Sequence, residues 1–185
     1  MTKASAPPGS AAHQSVLFDE LLVVLVQSGD RSACERLACR WHPRLMRTAH
    51  RLVGPALAPD AAQDAWLSIQ RSLHTLREPA RFAPWAFGIL RRRCADSIRT
   101  AVRDRATEAA DAEDHHTPEP LERMAIAAAM ADLPGEQRLA AHLFFVEGLT
   151  LAEIAMAQAV PLGTAKSRLF HARRQLKAAL SGDTP

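Results

Sequence analysis

The sequence predicts an all-α protein built from two small helical domains that are joined by a flexible acidic linker. Aromatic residues make up only 5% of the 185-residue chain, and it contains no Tyr. This composition favours helix, because strands collect β-branched and aromatic side chains. Apolar residues also recur at three- and four-residue spacing on both sides of the segment 106–120, as they do along one face of a helix.

The N-terminal part divides into a tail and a helical domain. Residues 1–14 are rich in Ala, Ser and Pro without an apolar stretch, which predicts a disordered tail. Residues 15–105 form the predicted domain, whose first two helices end at Gly29-Asp30 and Gly54-Pro55. The second helix carries a long apolar stripe: Leu37, Trp41, Leu45, Ala49 and Leu52.

Two more helices are predicted before the linker. The third starts at Asp60, whose side chain can accept from free backbone amides. The fourth runs from about Pro84 to Val102. Its expected core contacts are Trp85, Ile89 and Ile98.

The C-terminal domain, residues 121–182, contains a predicted helix-turn-helix. Thr150 and Glu153 have the spacing of a capping box, in which each satisfies a free amide at the helix start. A short helix follows to about Gln158, and a longer basic helix begins near Pro161. A short helix, a tight turn and a longer helix are the layout of this DNA-binding motif.

The helical wheel of the last helix separates a core face from an outer face. Leu169, Ala172, Leu176 and Leu180 share the core face. The outer surface mixes cations, a hydroxyl, an imidazole and an aromatic ring. Such side chains suit phosphates, guanine edges and thymine methyl groups. A solvated basic face is the alternative, but no acid lies between Ile154 and Gly182, whereas solvated faces usually mix signs.

Charge is segregated along the chain. Seven Arg lie between Arg81 and Arg105, and six acids without any Lys or Arg lie between Ala106 and Glu122. Basic blocks beside a polyanion release counterions and add sequence-independent affinity, which favours a nucleic-acid partner. The same blocks would also fit solvated helix faces.

Several other classes of protein are disfavoured. The apolar run Leu21–Val26 is too short to span a bilayer, and no secretory signal precedes it. No phosphate loop, HExxH motif or nucleophile elbow is present, so no catalytic residue and no cofactor are predicted. His115 and His116 lack a suitably spaced third ligand. The cysteines are predicted to be reduced, with a metal site as the alternative; they are Cys34, Cys39 and Cys94.

The C-terminal motifs resemble region 4 of the sigma-70 family, in its extracytoplasmic-function (ECF) group. The matching segments are Leu133-Pro134-x-x-Gln137-Arg138, Val146–Ala155 and Pro161–Leu176. The resemblance implies that the last helix binds the −35 promoter element and that this domain contacts the polymerase β flap. The residues it assigns to DNA are Thr164, Lys166, Ser167, Arg168, Phe170, His171 and Arg174. Gln158 and Ala159 depart from the family pattern, which more often has an aliphatic residue and Gly there.

The N-terminal motifs are similar to region 2 of the same family. The segment 60–67 resembles the part that grips the β′ coiled coil of core RNA polymerase, which implies contacts from Asp60, Gln63, Asp64, Trp66 and Leu67. The segment 82–99 resembles the part that melts and reads the −10 element, with an expected base pocket in the loop 74–81. The −10 contacts implied are Arg81, Phe82, Arg91, Arg92, Arg93, Asp96 and Arg99. Gly88 stands where a larger residue is usual, which predicts close packing there.

The resemblance implies a cytoplasmic, non-enzymatic transcription initiation factor. Its partners would be core RNA polymerase, promoter DNA and an anti-sigma factor. Two alternatives remain at this point. One is a sigma-like decoy that binds an anti-sigma factor without touching DNA, and the basic blocks argue against it. The other is a one-component helix-turn-helix regulator, which the N-terminal motifs disfavour.

Overall fold

Helices make up nearly all of the regular structure, as the composition predicts. A computed structural model describes residues 8–105 and 121–181, and within these ranges it contains seven α-helices, two short 3-10 turns and no strand. The helices are α1 (Pro8–Gln27), α2 (Arg31–Ser72), α3 (Phe82–Arg105), α4 (Leu121–Ala131), α5 (Gly135–Phe145), α6 (Leu151–Gln158) and α7 (Leu162–Ser181). The all-helical prediction is confirmed. The acidic linker and its two His lie outside the described residues.

Helix α1 begins earlier than the sequence predicts. Its first residue is Pro8, so residues 8–14 are helical and their assignment to a disordered tail was wrong. Pro is favoured in the first helical turn because its missing N–H would be unpaired there anyway, and the Ala residues that follow have high helix propensity. The end of α1 matches the prediction, since Gly29 adopts a positive φ of 96° and Asp30 caps α2 through the Ala33 amide at 3.0 Å.

Helix α2 is two helical segments joined at a kink. Gly54 has φ 78° and ψ 173°, outside the helical region, and Pro55 then opens the second segment. The predicted break at Gly54-Pro55 is therefore present. The predicted start at Asp60 was wrong, because the helix already begins at Pro55 and Asp60 lies within it.

The core of the N-terminal helices is built around Trp41. Its ring is completely buried and meets Phe82 edge-to-face with the ring centroids 4.8 Å apart. Phe87 lies 5.6 Å away on another side, and the guanidinium of Arg44 sits 3.9 Å from the Trp41 ring centroid. The predicted stripe of α2 is confirmed in Leu37, Trp41, Leu45 and Ala49, which are buried, while Leu52 is half-buried. The prediction for Ile98 was wrong, because 44% of it is exposed.

The C-terminal helices form the predicted helix-turn-helix. Both halves of the capping box are present: Thr150 accepts from the Glu153 amide, and Glu153 accepts from the Thr150 amide at 2.8 Å. Helices α6 and α7 are the two helices of the motif. A small apolar cluster of Met130, Leu133, Ala141 and Ala172, with Leu176 packed against it, holds α4 and α5 to α7.

The two sets of helices share one hydrophobic core. Leu139, Leu143, Leu149 and Ile154 belong to the same buried cluster as Trp41. Helix α3 packs on α6, and α2 packs on α5. Pattern alone indicated two separate units, because a contact between segments distant in sequence leaves no periodic signal. Among the described residues, no helix is both long enough and apolar enough to cross a membrane.

Candidate polymerase and nucleic-acid interfaces

The outer face of α7 presents the side chains expected to read DNA. Lys166, Ser167, Phe170, His171 and Arg174 are all exposed, and 62% of Phe170 is accessible. Leu169 and Ala172, on the opposite face, are buried as the wheel predicts. Thr164 is half-buried at the start of the helix. The capped helix α6 thus precedes a helix whose outward face is cationic and carries the exposed Phe170 ring, which meets the His171 ring edge-to-face.

Arg168 differs from its predicted neighbours. Its Nη1 donates to Glu136 Oε2 at 2.8 Å and to Gln158 Oε1 at 2.9 Å. The side chain is only 22% exposed, so it braces α7 against α5 and α6 rather than extending outward in this conformation. The contacts of Gln158 account for a polar residue at this position. Gln158 is fully buried, and its side-chain amide also donates to the Glu136 backbone carbonyl at 2.8 Å. An aliphatic residue there would remove both hydrogen bonds that Gln158 makes.

Ala159 occupies a strained position in the turn between α6 and α7. Its φ of 52° and ψ of 49° are left-handed, and it is the one non-Gly residue with positive φ among those described. A Cβ in this conformation costs roughly 1–2 kcal/mol.

We expect Ala159→Gly to stabilise the protein by about 0.5–1 kcal/mol, because removal of the Cβ strain exceeds the entropy that Gly adds to the unfolded chain. Urea unfolding followed by circular dichroism measures the change. Ala152→Gly, at an exposed site within α6, is the matched control and should destabilise by about 0.5–1 kcal/mol. A loss of stability in Ala159→Gly would contradict the strain argument.

Helix α3 carries a row of cations on its exposed side. Arg92, Arg93 and Arg99 are exposed, and Asp96 forms ion pairs with both Arg93 and Arg99. Arg93 Nε also donates to Ser68 Oγ on α2 at 3.0 Å. Asp96 therefore orients two of the cations along the helix rather than standing as an isolated acid.

A cavity of about 370 Å³ opens between the end of α2 and α3. Ser68, Ser72 and Thr75 line one side, and Trp85, Arg92 and Arg93 are among the residues on the other. It combines hydroxyls, cations and a half-buried indole, the groups that hold an unstacked base. The base pocket was expected in the loop 74–81, and of that loop only Thr75 lines this cavity.

Three of the residues predicted to contact the −10 element make other contacts in the structure. Phe82 is 1% exposed and packs on Trp41, so it stabilises the core instead of offering a free ring. Arg81 is exposed and pairs with Glu78 at 2.7 Å. Arg91 is half-buried and donates to Glu136 Oε1 from Nε at 3.1 Å and from Nη2 at 3.0 Å. This ion pair joins an N-terminal helix to a C-terminal one.

The second segment of α2 presents an acidic and amide face. Asp60, Gln63, Asp64 and Leu67 are exposed at helical spacing, whereas Trp66 is half-buried against the core. Two carboxylates and an amide beside an apolar side chain offer acceptors and an anchor to a basic partner helix. The structure thus brings four of the five predicted polymerase contacts onto one open surface.

Two buried titratable groups lie away from these surfaces. Burial raises the pKa of the Cys94 thiol to about 12, which keeps it protonated and unreactive. Burial, with the nearby Arg51 and Arg47, lowers the pKa of His142 to about 4. The described residues include no cluster of three or more His, Cys, Asp or Glu that could hold a metal ion.

The family models match both halves of the chain. Residues 37–104 match sigma-70 region 2, and residues 123–176 match sigma-70 region 4. The chain belongs to the sigma-70 family. These matches contain α3 and the second segment of α2 in the first case, and the helix-turn-helix in the second.

Its relatives are ECF sigma factors. The ECF RNA polymerase sigma-E factor of Escherichia coli strain K12 is 29% identical over 177 residues, which cover 86% of this chain and 93% of that protein. The protein of the same name from Haemophilus influenzae is 28% identical over 179 residues, with 87% and 94% covered. These relatives place the sigma factor described here in the ECF group.

Solved structures share the fold. CnrH in complex with the cytosolic domain of CnrY has a TM-score of 0.67 at 23% identity, covering 90% of this chain and 99% of that one. Sigma factor RpoE in complex with the anti-sigma factor NepR from Bartonella quintana has a TM-score of 0.69 at 22% identity, covering 81% and 98%.

Sequence reasoning missed the polar groups that join the two halves of this sigma factor. Glu136, His142 and Glu147 were assigned no role, yet each contacts an N-terminal helix. Their spacing matches no motif. The one sequence feature that indicated this contact was Gly88, a Gly inside a helix. The structure confirms close packing there, against the backbone of Ala157.

Proposed function

We propose that this protein binds core RNA polymerase and directs it to promoters, reading the −35 duplex with α7 and the −10 strand with α3. The observation that carries the proposal is the exposed cationic face on the second helix of a capped helix-turn-helix, in a chain of the sigma-70 family. The protein acts as an adaptor, and the chemistry of RNA synthesis belongs to the polymerase.

The proposed −35 surface contains Lys166, Ser167, Phe170, His171 and Arg174. Arg and Lys pair with guanine edges and phosphates, and the Phe170 ring can contact thymine methyl groups in the major groove. Thr164 lies at the N-terminal turn of α7, where backbone amides favour phosphate. Arg168 contributes by holding α7 in position through Glu136 and Gln158.

The proposed −10 surface contains Arg92, Arg93 and Arg99 with the cavity beside Trp85. Cations that track the backbone and a pocket for a base are what binding of an opened strand requires. Arg81 and Arg91 would join this surface once released from Glu78 and Glu136. Asp96 keeps Arg93 and Arg99 extended.

The proposed protein partners use other faces. Asp60, Gln63, Asp64 and Leu67 form the polymerase contact, with Trp66 fixing the helix from behind; the β flap is a second contact, on the C-terminal helices. An anti-sigma factor is proposed as a regulator, supported by the anti-sigma complex among the similar structures. The proposed site of action is the cytoplasm, where the polymerase and promoters are.

The deciding experiment is in vitro transcription with core RNA polymerase on a library of genomic fragments. We expect the wild-type protein to stimulate defined start sites. Core binding without any stimulated start site would instead favour the decoy function, and binding to duplex DNA without core binding would favour the one-component regulator.

Within that assay, Arg174→Ala is expected to reduce initiation and −35 duplex affinity by roughly 5- to 150-fold, which corresponds to the loss of about 1–3 kcal/mol for a base-edge contact. Arg36→Ala removes an exposed cation on α2 and is the charge-matched control. Equal losses in the two variants would mean that α7 contributes only general charge.

A further inference from the structure

Helix α1 is apolar on two opposite faces. From Val16 to Val26, every residue except Asp19 and Glu20 is apolar. Leu22 and Val23 are buried in the N-terminal core. The apolar residues of the opposite face are each 45–52% exposed, and together they form the α1 stripe: Val16, Leu17, Phe18, Leu21 and Val24. Because a helix that is apolar all round is normally buried on every side, the free face of α1 indicates a covering partner.

Buried ion pairs fix which face of α1 turns outward. Asp19 is 7% exposed, and its carboxylate pairs with Arg40 Nε and, at 3.6 Å, with Arg44 Nη1 on α2. At about 100° per residue, Asp19 lies on the side of α1 opposite Leu17 and Leu21. A rotation of α1 that buried the stripe would break both ion pairs and remove the inner apolar face from the core. The stripe is therefore a fixed feature of the surface.

The rest of the chain is not apolar enough to cover the stripe. Residues 1–7, 106–120 and 182–185, which lie outside the described ranges, contain no Leu, Ile, Val or aromatic residue. A membrane surface also fits poorly, because α1 has no Lys or Arg, whereas helices that lie on membranes carry cations on their polar face. The occupant is therefore expected to be another protein surface.

A second copy of the chain offers a matching surface. Leu17, Leu21 and Val24 have the alternating four- and three-residue spacing of a helix–helix seam. No charge lies among them, and the exposed Gln14 and Ser28 stand at the two ends. Pairing two α1 stripes would remove roughly 900 Å² from water, which is close to the lower limit for a specific interface and typical of weak, reversible ones.

We propose that the protein forms a weak, reversible homodimer in which the α1 stripes of two copies pack together around a two-fold axis near Leu21. Two-fold pairing lets the same surface serve both copies. The stripe shares no residue with the surfaces proposed to contact promoter DNA or polymerase, and the family model for region 2 begins only at residue 37. The inference therefore goes beyond the proposed function and does not depend on it.

Sedimentation velocity of the full-length protein over a range of concentrations tests the association. We expect the sedimentation coefficient to rise from that of a monomer to that of a dimer with a Kd on the order of 10 µM, as an interface of this size predicts. Leu21→Gln puts an amide from each copy at the centre of the interface and should raise the Kd about 10-fold or more. Leu162→Gln makes the same change at a Leu of similar exposure, 55%, on α7, and should associate as wild type.

Cross-linking tests where the two copies touch. Cys34→Ser and Cys39→Ser remove the two native thiols that are not buried, and Leu21→Cys then places one thiol at the proposed axis. A disulfide needs the two Cα atoms to lie within about 7 Å. We therefore expect Leu21→Cys to form a covalent dimer on mild oxidation, under conditions in which Leu162→Cys in the same background remains monomeric.

The outcomes separate the possible occupants. A protein that stays monomeric at concentrations about 10 times the expected Kd would overturn the proposal, as would equal weakening by Leu21→Gln and Leu162→Gln. Flotation with phosphatidylcholine–phosphatidylglycerol vesicles tests the membrane surface, and vesicle binding that Leu21→Gln abolishes, without self-association, would also overturn the homodimer. Val24→Gln on the same stripe keeps the test decisive if Leu21→Gln fails to fold.

The dimer and the proposed function fail separately. Self-association is measured without DNA or polymerase, whereas promoter-directed initiation is measured as stimulated start sites. A protein that self-associates through α1 and stimulates no start site would support the homodimer and contradict the proposed function.

Discussion

Trp41→Ala is expected to destabilise the protein by about 3–5 kcal/mol, the cost of removing a large, fully buried aromatic side chain. Trp41 contacts Phe82 and Phe87 and carries the Arg44 guanidinium over its ring. The substitution opens a cavity and removes a cation–π contact worth roughly 0.5–2 kcal/mol. Urea unfolding followed by circular dichroism measures the loss as a shift of the transition midpoint.

The matched control is Trp66→Ala, because Trp66 is only half-buried and its loss should be clearly smaller. Trp41→Phe should cost less than Trp41→Ala, because the Phe ring leaves a smaller cavity. Both replacements remove the indole N–H of Trp41, which is buried without a hydrogen-bond partner. Equal destabilisation by Trp41→Ala and Trp66→Ala would show that the core is not centred on Trp41.

The contact between the two halves is expected to weaken as the pH falls from about 6.5 towards 4. Thr48 already donates its hydroxyl hydrogen to the Arg44 carbonyl, so His142 must donate from Nε2 to Thr48 and carry a bare Nδ1. That Nδ1 is buried and unpartnered. A proton there would bring an unpaired donor and a positive charge into this contact, close to Arg47 and Arg51.

The direction of this pH dependence follows from the number of protons that each state binds. Burial lowers the pKa of His142 from 6.5 to about 4 in the folded structure. A state in which this ring is solvated therefore binds more protons, and the contact gains stability as the pH rises. The shift in pKa corresponds to about 3 kcal/mol of stabilisation of the contact. This stabilisation is fully present above pH 6.5 and is lost as the pH falls towards 4. Glu147 Oε1, 3.7 Å from His142 Nε2, and Arg44 beside it are the other charged groups facing this site.

Urea unfolding at a series of pH values, followed by circular dichroism, measures this dependence. His142→Gln should remove most of the change between pH 6.5 and 4, whereas His50→Gln, at an exposed position on α2, should retain it. Retention of the full pH dependence in His142→Gln would assign the titration to another group.

Local signals predicted the helices well. Gly29, Gly54 and Gly148 all adopt the positive φ that ends a helix or kinks it, and the Thr150 capping box is present. The misplaced start at Asp60 has a physical reason, since both Pro55 and Pro59 permit a helix start and the first one is used. The exposed face of α7 followed from the helical wheel, whereas the exposed residues of α2 and α3 were named from the family resemblance.

The contact between the halves was not predictable from pattern. Glu136 and Arg91 are 45 residues apart and Thr48 and His142 are 94 apart, and side chains that meet only after folding share no spacing rule. Arg168 and Phe82 were assigned to DNA from the family resemblance. The structure instead pairs Arg168 with Gln158 on the preceding helix and buries Phe82 against Trp41.

The absence of a side chain at Gly88 has a consequence for how this protein can vary. One nucleotide change converts a glycine codon to Ala, Ser, Val or Asp, depending on the codon, and these side chains form a graded series of bulk against the Ala157 carbonyl. Mutations at this single site would therefore change how closely α3 packs on α6 without altering any surface proposed to contact promoters or polymerase. The stability of the fold and the specificity of those surfaces can vary separately.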